Sequence, residues 1–294
     1  MKKDQRLLEW PQGRLTRAPF RVMSDPEIYA QEQARIFRGP IWNYLCLEAE
    51  IADPASYRKL RGVPFENGVA GKGGIPKDFD LAHHRVLHNN WKLYMENSPD
   101  SYHATILHTF YATFKLNRLT MDGGVTMDHD GWHSINYSKG ATFREGGYEP
   151  GIRSVIEDAG LADPSLIERR QEFDDGITVA IQSIFPSCVH QQIYNTLALR
   201  QLVPQGPAQS ELHWTFFGYK DDDPALRQMR LKQSNLIGPA GYVSIDDGVI
   251  AEYVQRGIAG KGIEASAVME CRSRGMMQDR VTGLRRINFY EPPR

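Results

Sequence analysis

The 294-residue chain has no run of about 18 uninterrupted apolar residues, so no membrane-spanning helix is expected. It has almost no charge imbalance. A formal net charge of −1 provides neither the field of a general nucleic-acid binder nor that of a membrane-surface protein. Cysteine is scarce: Cys46, Cys188 and Cys271 form an odd, scattered set that points to reduced thiols in a cytoplasm rather than a disulfide framework. There is no internal repeat and no low-complexity tract. The N-terminal MKKDQRLLEWPQGR is basic but has no apolar run behind it, so it does not read as a signal peptide. Hydrophobic residues at 41% and charged residues at 24% are ordinary for a globular chain, long enough for one large domain or two smaller ones.

Along the chain, Asp25-Pro26 reads as a cap and first helical turn, and IWNYLCLEAEI (41–51) as a strand or buried run. Residues 52–90 have a loop composition, rich in Gly, Pro, Lys and Asp, and are long for a structureless connection. Ser98-Pro99 predicts a helix launched from Asp100, and PSLIERRQEF a charged helical stretch. The apolar runs ITVAIQSIFPSCV, IYNTLALRQLV and ELHWTFFGY predict antiparallel strands. Asp223-Pro224 opens a helix that Gly238-Pro239 ends, and a last helix runs from about Ser244 to Gln255. The class is α+β, an antiparallel sheet with long helices.

Two stretches carry candidate chemistry. Asn90 to Phe114 holds His103 and His108, five residues apart, with Asp100 before them; Asn235 to Gly248 holds Asp246 and Asp247. Two imidazoles and a carboxylate suit a mononuclear Fe(II) site that leaves one octahedral face open. Residues five apart on a regular helix lie about 140° apart around the axis, so either the helix deforms or His108 lies past its end. Asp100 and His103, at i,i+3, share a face, which suits a carboxylate orienting a ligand imidazole. By itself HxxxxH is a weak signal, equally met by ordinary histidines on a half-buried helix. Asp247 fits a capping-box-like start from Ser244 better than ligation on local grounds, and spacing leaves Asp246 as a competing ligand. Arg200 alternates with Thr196 and Ala198 on one face of a strand. It either snorkels to solvent, the plainer expectation, or points inward, where its fork suits a carboxylate. Cys188-Val-His190 is half of an iron–sulfur motif without a second pair. A zinc hydrolase would need a general base beside the metal, and no HExxH pattern occurs.

NWKLYMENSPDSYHATILH resembles the N-W-K-x-x-x-E-N-x-x-D-x-Y-H-x-x-x-x-H signature of Rieske-type aromatic ring-hydroxylating oxygenase large (alpha) subunits, and NLIGPAGYVSIDDG their G-P-A-G…[ED]-D segment. The resemblance extends over nearly all of 90–282 and over 10–51 and 61–84. It is closest to members acting on aryl carboxylates such as anthranilate, terephthalate and salicylate. It implies a helix-grip (Bet v1/START-like) catalytic domain with Fe(2+) held by His103, His108 and Asp247. Asp100 would bridge to the electron donor of a neighbouring subunit, and Asn97 would lie near the iron without binding it. It further implies hydroxylation of an aromatic carboxylate with O2, with NAD(P)H acting only indirectly through a reductase or ferredoxin. The implied assembly is a homotrimer or alpha–beta hetero-oligomer, with no nucleic acid and no membrane.

The chain departs from that family in two respects, the Rieske ligands and the C-terminal tail after Thr282, where GLRRINFYEPPR stands. The [2Fe-2S] Rieske domain is held by C-x-H and C-x2-H pairs in its relatives, and neither pair stands in the corresponding part of this sequence. Residues 1–89 therefore read as an N-terminal arm with the remnant of an excised Rieske domain, and 90–294 as the iron domain with an altered tail. Two expectations follow: an oxygenase component supplied with electrons by another protein, or a catalytically silent homologue that binds an aryl acid or assembles with full-length subunits.

Overall fold

The computed structural model describes residues 17–52, 57–60, 68–71, 82–100, 103–114, 121–143, 160–259, 266–268, 276–278 and 285–287. Most of the arm before residue 17, much of the proposed Rieske remnant and most of the C-terminal tail lie outside them.

A nine-stranded antiparallel sheet forms the body, in the order β12-β13-β5-β6-β7-β8-β9-β10-β4. Its strands are β4 (Ala82–Leu87), β5 (Met121–Met127), β6 (His133–Phe143), β7 (Ile177–Ile184), β8 (Cys188–Ile193), β9 (Thr196–Gly206), β10 (Gln209–Phe217), β12 (Met276–Gln278) and β13 (Arg285–Ile287). Two small pairs stand apart from it: β1 (Arg17–Pro19) with β11 (Ser266–Val268), and β2 (Tyr57–Leu60) with β3 (Gly68–Gly71). The helices are α1 (Pro26–Glu32), α2 (Trp91–Asn97), α3 (His103–Leu107), α4 (Thr109–Thr113), α5 (Pro224–Ile237) and α6 (Ser244–Ala259).

Residues paired across antiparallel strands share a face. Thr196, Ala198, Arg200 and Leu202 of β9 therefore lie on one face with Ile193, Gln191 and Val189 of β8 and with Phe216, Trp214 and Leu212 of β10. That face meets the helices. Ala198, Leu202, Leu212 and Trp214 pack against Trp91 and Tyr94 of α2, while Val179 and Ile193 pack with Tyr111 of α4 and Leu236 and Ile237 of α5. The opposite face of β9 is also covered, which is why the strand reads as a continuous buried run rather than an alternating one. On that side Gln201 Nε2 donates to the Tyr44 carbonyl at 2.6 Å.

The 41–51 run is therefore not a strand. It is an extended segment ending in a 3-10 turn (Glu48–Ile51), its Tyr44 carbonyl met by a side chain of the sheet face, and Trp42 lies open to solvent. Region 52–90 is not all loop, since β4 closes one edge of the sheet against β10. Ser98 ends α2 as its C-cap instead of starting a helix at Asp100, and the next described helix begins at His103. PSLIERRQEF makes only a 3-10 turn at Pro164–Leu166. Its polar groups go elsewhere: Asn195 of the β8–β9 turn accepts from Arg170 N at 2.9 Å and donates to Arg170 O at 2.7 Å.

Helix ends follow their caps. Asp25 accepts from Glu27 N and Ile28 N ahead of Pro26, and Asp223 accepts from Leu226 N ahead of Pro224. The GPAG turn between α5 and α6 is tight enough that a Cβ on Gly241 would lie 2.6 Å from the Leu236 carbonyl oxygen, so only glycine fits. α6 runs on to Ala259, a turn beyond Gln255.

Two contacts fix α2 against α6. At one end Gln255 Oε1 accepts from Asn90 N (2.9 Å), while the Asn90 side chain donates to Pro207 O (2.7 Å) and accepts from Lys92 N (3.1 Å). At the other end Asn97 reaches Asp247 at 2.9 Å.

Candidate metal centre

The helix breaks at His108. α3 ends at Leu107 and α4 starts at Thr109, so the second histidine sits in the gap, its N–H held by Ala104 O at 3.3 Å. The break solves the geometric problem posed by a five-residue spacing. The two rings come within 5.2 Å of each other, tilted by 74°.

Asp247 lies in the first turn of α6, but its carboxylate does not cap the helix. Buried to 6% exposure, it turns inward, and its Oδ1 stands 3.4 Å from His103 Nε2, 3.2 Å from His108 Nε2 and 2.9 Å from Asn97 Nδ2. Ser244, the would-be capping partner, donates instead to Ile237 O at 2.7 Å. The other nitrogen of each ring faces a different carboxylate. His103 Nδ1 stands 3.4 Å from Asp100 Oδ2, and His108 Nδ1 stands 3.4 Å from Asp246 Oδ2. Asp246 thus differs from Asp247 in place: it stands behind one imidazole, not between the two.

Electrostatics favour positive charge at this spot. Burial pushes His103 towards its neutral form, but the Asp100 and Asp247 carboxylates outweigh it and raise the imidazole to about 9. Burial likewise opposes ionisation of Asp247, yet the two histidines hold its carboxyl well below the usual carboxylate range. A proton can meet this demand in the protein alone, and a divalent cation would meet it better.

The donor set fits a metal. One atom from each of His103, His108 and Asp247 lies within 4.8 Å of the others. The carboxylate-to-imidazole separations approach the roughly 3 Å expected between neighbouring ligands of an octahedron with bonds of about 2.1 Å. Each ring also has a carboxylate available to fix its tautomer.

Arg200 is not drawn out to solvent. At 4% exposure its guanidinium lies on the helix-facing side of the sheet, 5.2 Å from the Trp214 ring, and donates to Tyr94 Oη at 2.9 Å. Its Nε has no partner among the described residues. Burial raises the Tyr94 phenol above its ordinary value, so the hydroxyl stays protonated. Residue spacing did not single out Tyr94 or Tyr111. The available signal was their position: Tyr94 lies three residues before Asn97 on the same face of α2, and Tyr111 lies three residues after His108. Cys188 is a buried strand cysteine with a free thiol.

The profile of the family described as ring hydroxylating alpha subunit (catalytic domain) matches residues 78–282. The chain belongs to this family. Its members are oxidoreductases, the oxygenase components of ring-hydroxylating systems. Among curated relatives, the chain is 36% identical to the terephthalate 1,2-dioxygenase terminal oxygenase component subunit alpha 2 of Comamonas sp, over 87% of this chain and 89% of that one. It is 32% identical to the anthranilate 1,2-dioxygenase large subunit of Burkholderia cepacia, over 91% and 89%. The first alignment runs for 370 positions yet takes in only 87% of a 294-residue chain, so these ring-hydroxylating relatives carry internal stretches with no counterpart here. The fold matches that of naphthalene 1,2-dioxygenase from Rhodococcus sp. bound to indole, with a TM-score of 0.68 over 92% of this chain and 90% of that one at 15% identity.

Proposed function

We propose that the chain is a terminal oxygenase component that hydroxylates an aromatic carboxylate with O2 at a mononuclear non-haem Fe(II), its electrons supplied by a partner reductase or ferredoxin. The observation that carries this reading is the convergence of both imidazole Nε2 atoms on one buried carboxylate oxygen, with a carboxylate behind each ring. His103, His108 and Asp247 would hold the iron. Bound iron supplies the one-electron and O2 chemistry that side chains lack. Asp100 and Asp246 would orient the rings, and Asn97 would hold Asp247 in place without ligating. Arg200 would take the substrate carboxylate. Its charge is already buried and its Nε lacks an acceptor, so a carboxylate arriving there completes a pair instead of creating a new buried charge. The surrounding Tyr94 and Trp214 rings exclude water from that contact.

A second reading is favoured by one observation: the sequence has no C-x2-H pair, and its single C-x-H, Cys188-Val-His190, lies within β8. The chain would then be a silent homologue that binds an aryl acid or assembles with full-length subunits. Residues 1–89 as arm and Rieske remnant, and 90–294 as the iron domain, belong to both readings.

The test is the metal content of anaerobically purified protein, followed by nitric oxide addition and EPR. About one iron per chain with an iron–nitrosyl signal is expected, and no iron, or zinc alone, would refute the metal assignment. Benzoate-dependent O2 uptake with a chemical reductant, and hydroxylated product, separates the oxygenase from the silent homologue.

A further inference from the structure

The helix-facing side of the sheet carries buried hydrogen-bond donors that have no partner among the described residues. Besides Arg200 Nε they include Gln191 Nε2 on β8 and the Tyr111 hydroxyl on α4. Gln191 is 1% exposed and Tyr111 4%. The large majority of buried side-chain polar atoms in folded proteins find a partner, and an orphan is destabilising. Such donors on one buried face, with Trp214 Nε1 on β10 as a fourth, therefore point to an acceptor from outside the chain.

Arg200, Gln191 and Tyr111 are neighbours. Gln191 pairs in register with Ala198, two residues from Arg200 on the same face, which places the two side chains as diagonal neighbours roughly 7 Å apart. Tyr111 packs in the same cluster as Ile193 and Ile181, the residues beside Gln191 along β8 and across on β7. The Tyr111 ring lies edge-on to His108, 5.7 Å away. Its phenol feels both the Asp247 carboxylate and the Arg200 guanidinium.

The two ends of this space differ in charge. Arg200 provides the positive end; Gln191 and Tyr111 provide neutral donors. A second carboxylate at the neutral end would be buried without a cation, which is costly. A ring hydroxyl or carbonyl oxygen would accept from these donors, and an amino group would donate to the Tyr111 oxygen.

We infer that Gln191 and Tyr111 form a second, neutral polar subsite that selects aromatic acids bearing a hydroxyl, amino or carbonyl substituent over the unsubstituted acid. The inference rests on the proposed role of Arg200 as the carboxylate anchor. Pockets built to hydrogen-bond a substrate group discriminate strongly against analogues that lack it, because their own donors are then left unpaired.

The experiment measures equilibrium binding of benzoate, the three hydroxybenzoates, the three aminobenzoates and the three benzenedicarboxylates to the iron-loaded wild type, Gln191→Met and Tyr111→Phe. Both substitutions keep side-chain volume, and circular dichroism melts check folding. The wild type is expected to bind at least one hydroxy or amino isomer tenfold or more tightly than benzoate. Either substitution should remove most of that preference while leaving benzoate within about threefold. Equal losses for benzoate and the substituted acids in both folded variants, or a preference for a dicarboxylate, would overturn the subsite; the donors would then serve water alone. Arg200→Met serves as the separate control. If it leaves benzoate binding unchanged while the Gln191 and Tyr111 effects persist, the carboxylate anchor fails and the subsite stands. If the wild type binds no aryl acid, both fall.

Discussion

Asn97 donates from its side-chain amide to Oδ1 of Asp247 at 2.9 Å, on the same oxygen that both imidazoles face. The contact aims a carboxylate that α6 supplies to the site. Asn97→Leu should leave the fold intact but lower iron affinity about 10- to 100-fold, the usual cost of losing a residue that orients a ligand. Competition with a chelator of known affinity reads this directly; unchanged affinity would return Asn97 to a purely structural role.

The two neighbouring aspartates should behave differently. Alanine at His103, His108 or Asp247 is expected to abolish iron retention through gel filtration. Asp246→Asn, which alters only the group behind His108 Nδ1, should retain iron with affinity weakened about 10- to 100-fold. A reversal, with Asp246→Asn losing the metal and Asp247→Ala keeping it, would exchange their roles.

Arg230 anchors α5 in a separate charged cluster. It is 5% exposed, donates to Asp222 Oδ2 at 2.8 Å and Asp222 Oδ1 at 3.0 Å, and also binds Glu172 and the Asn195 carbonyl. Arg230→Met should cost about 3–5 kcal/mol in denaturant unfolding at neutral pH, because two carboxylates lose their cation.

The same cluster makes a pH signature. Hydrogen bonds from Arg230 hold the Asp222 carboxyl below its ordinary 3.8. A depressed folded value contributes stability that is present above pH 3.8 and disappears as pH falls through the folded value. The wild type should therefore lose stability steeply below about pH 4, and Arg230→Met should show a shallower acid limb in the same titration.

Cys188 should be inert. Burial pushes its thiol up to about 11, so almost no thiolate exists at pH 8, whereas Cys46 is only half-buried. In a Cys271→Ser background, iodoacetamide at pH 8 should label Cys46 at least tenfold faster than Cys188. Rapid native labelling of Cys188 would show that β8 opens.

The strands β7 to β10 and the helices α5 and α6 were legible because each is long enough for period, caps and breakers to agree, as Asp223-Pro224 and Gly238-Pro239 do for α5. The shorter pieces were not. IWNYLCLEAEI has strand composition but no strand partner, and PSLIERRQEF spends its polar groups on the β8–β9 turn and on α5 instead of on helix surface. Spacing alone placed His108 only as far as two alternatives, and the break between α3 and α4 decides between them. For Asp247 the local capping pattern was misleading, because a first-turn carboxylate can face inward when the interior offers imidazoles. Arg200 was ambiguous because alternation marks a face without saying what covers it.

The paired contacts Asn90–Gln255 and Asn97–Asp247 make α2 a beam pinned at both ends. Such a beam passes displacement along its length rather than absorbing it. A disturbance at Pro207 in the β9–β10 turn, which Asn90 also grips, would thus be delivered to the Asp247 carboxylate on α6. Substitutions at this remote turn should register in the iron's spectroscopy before they register in thermal stability.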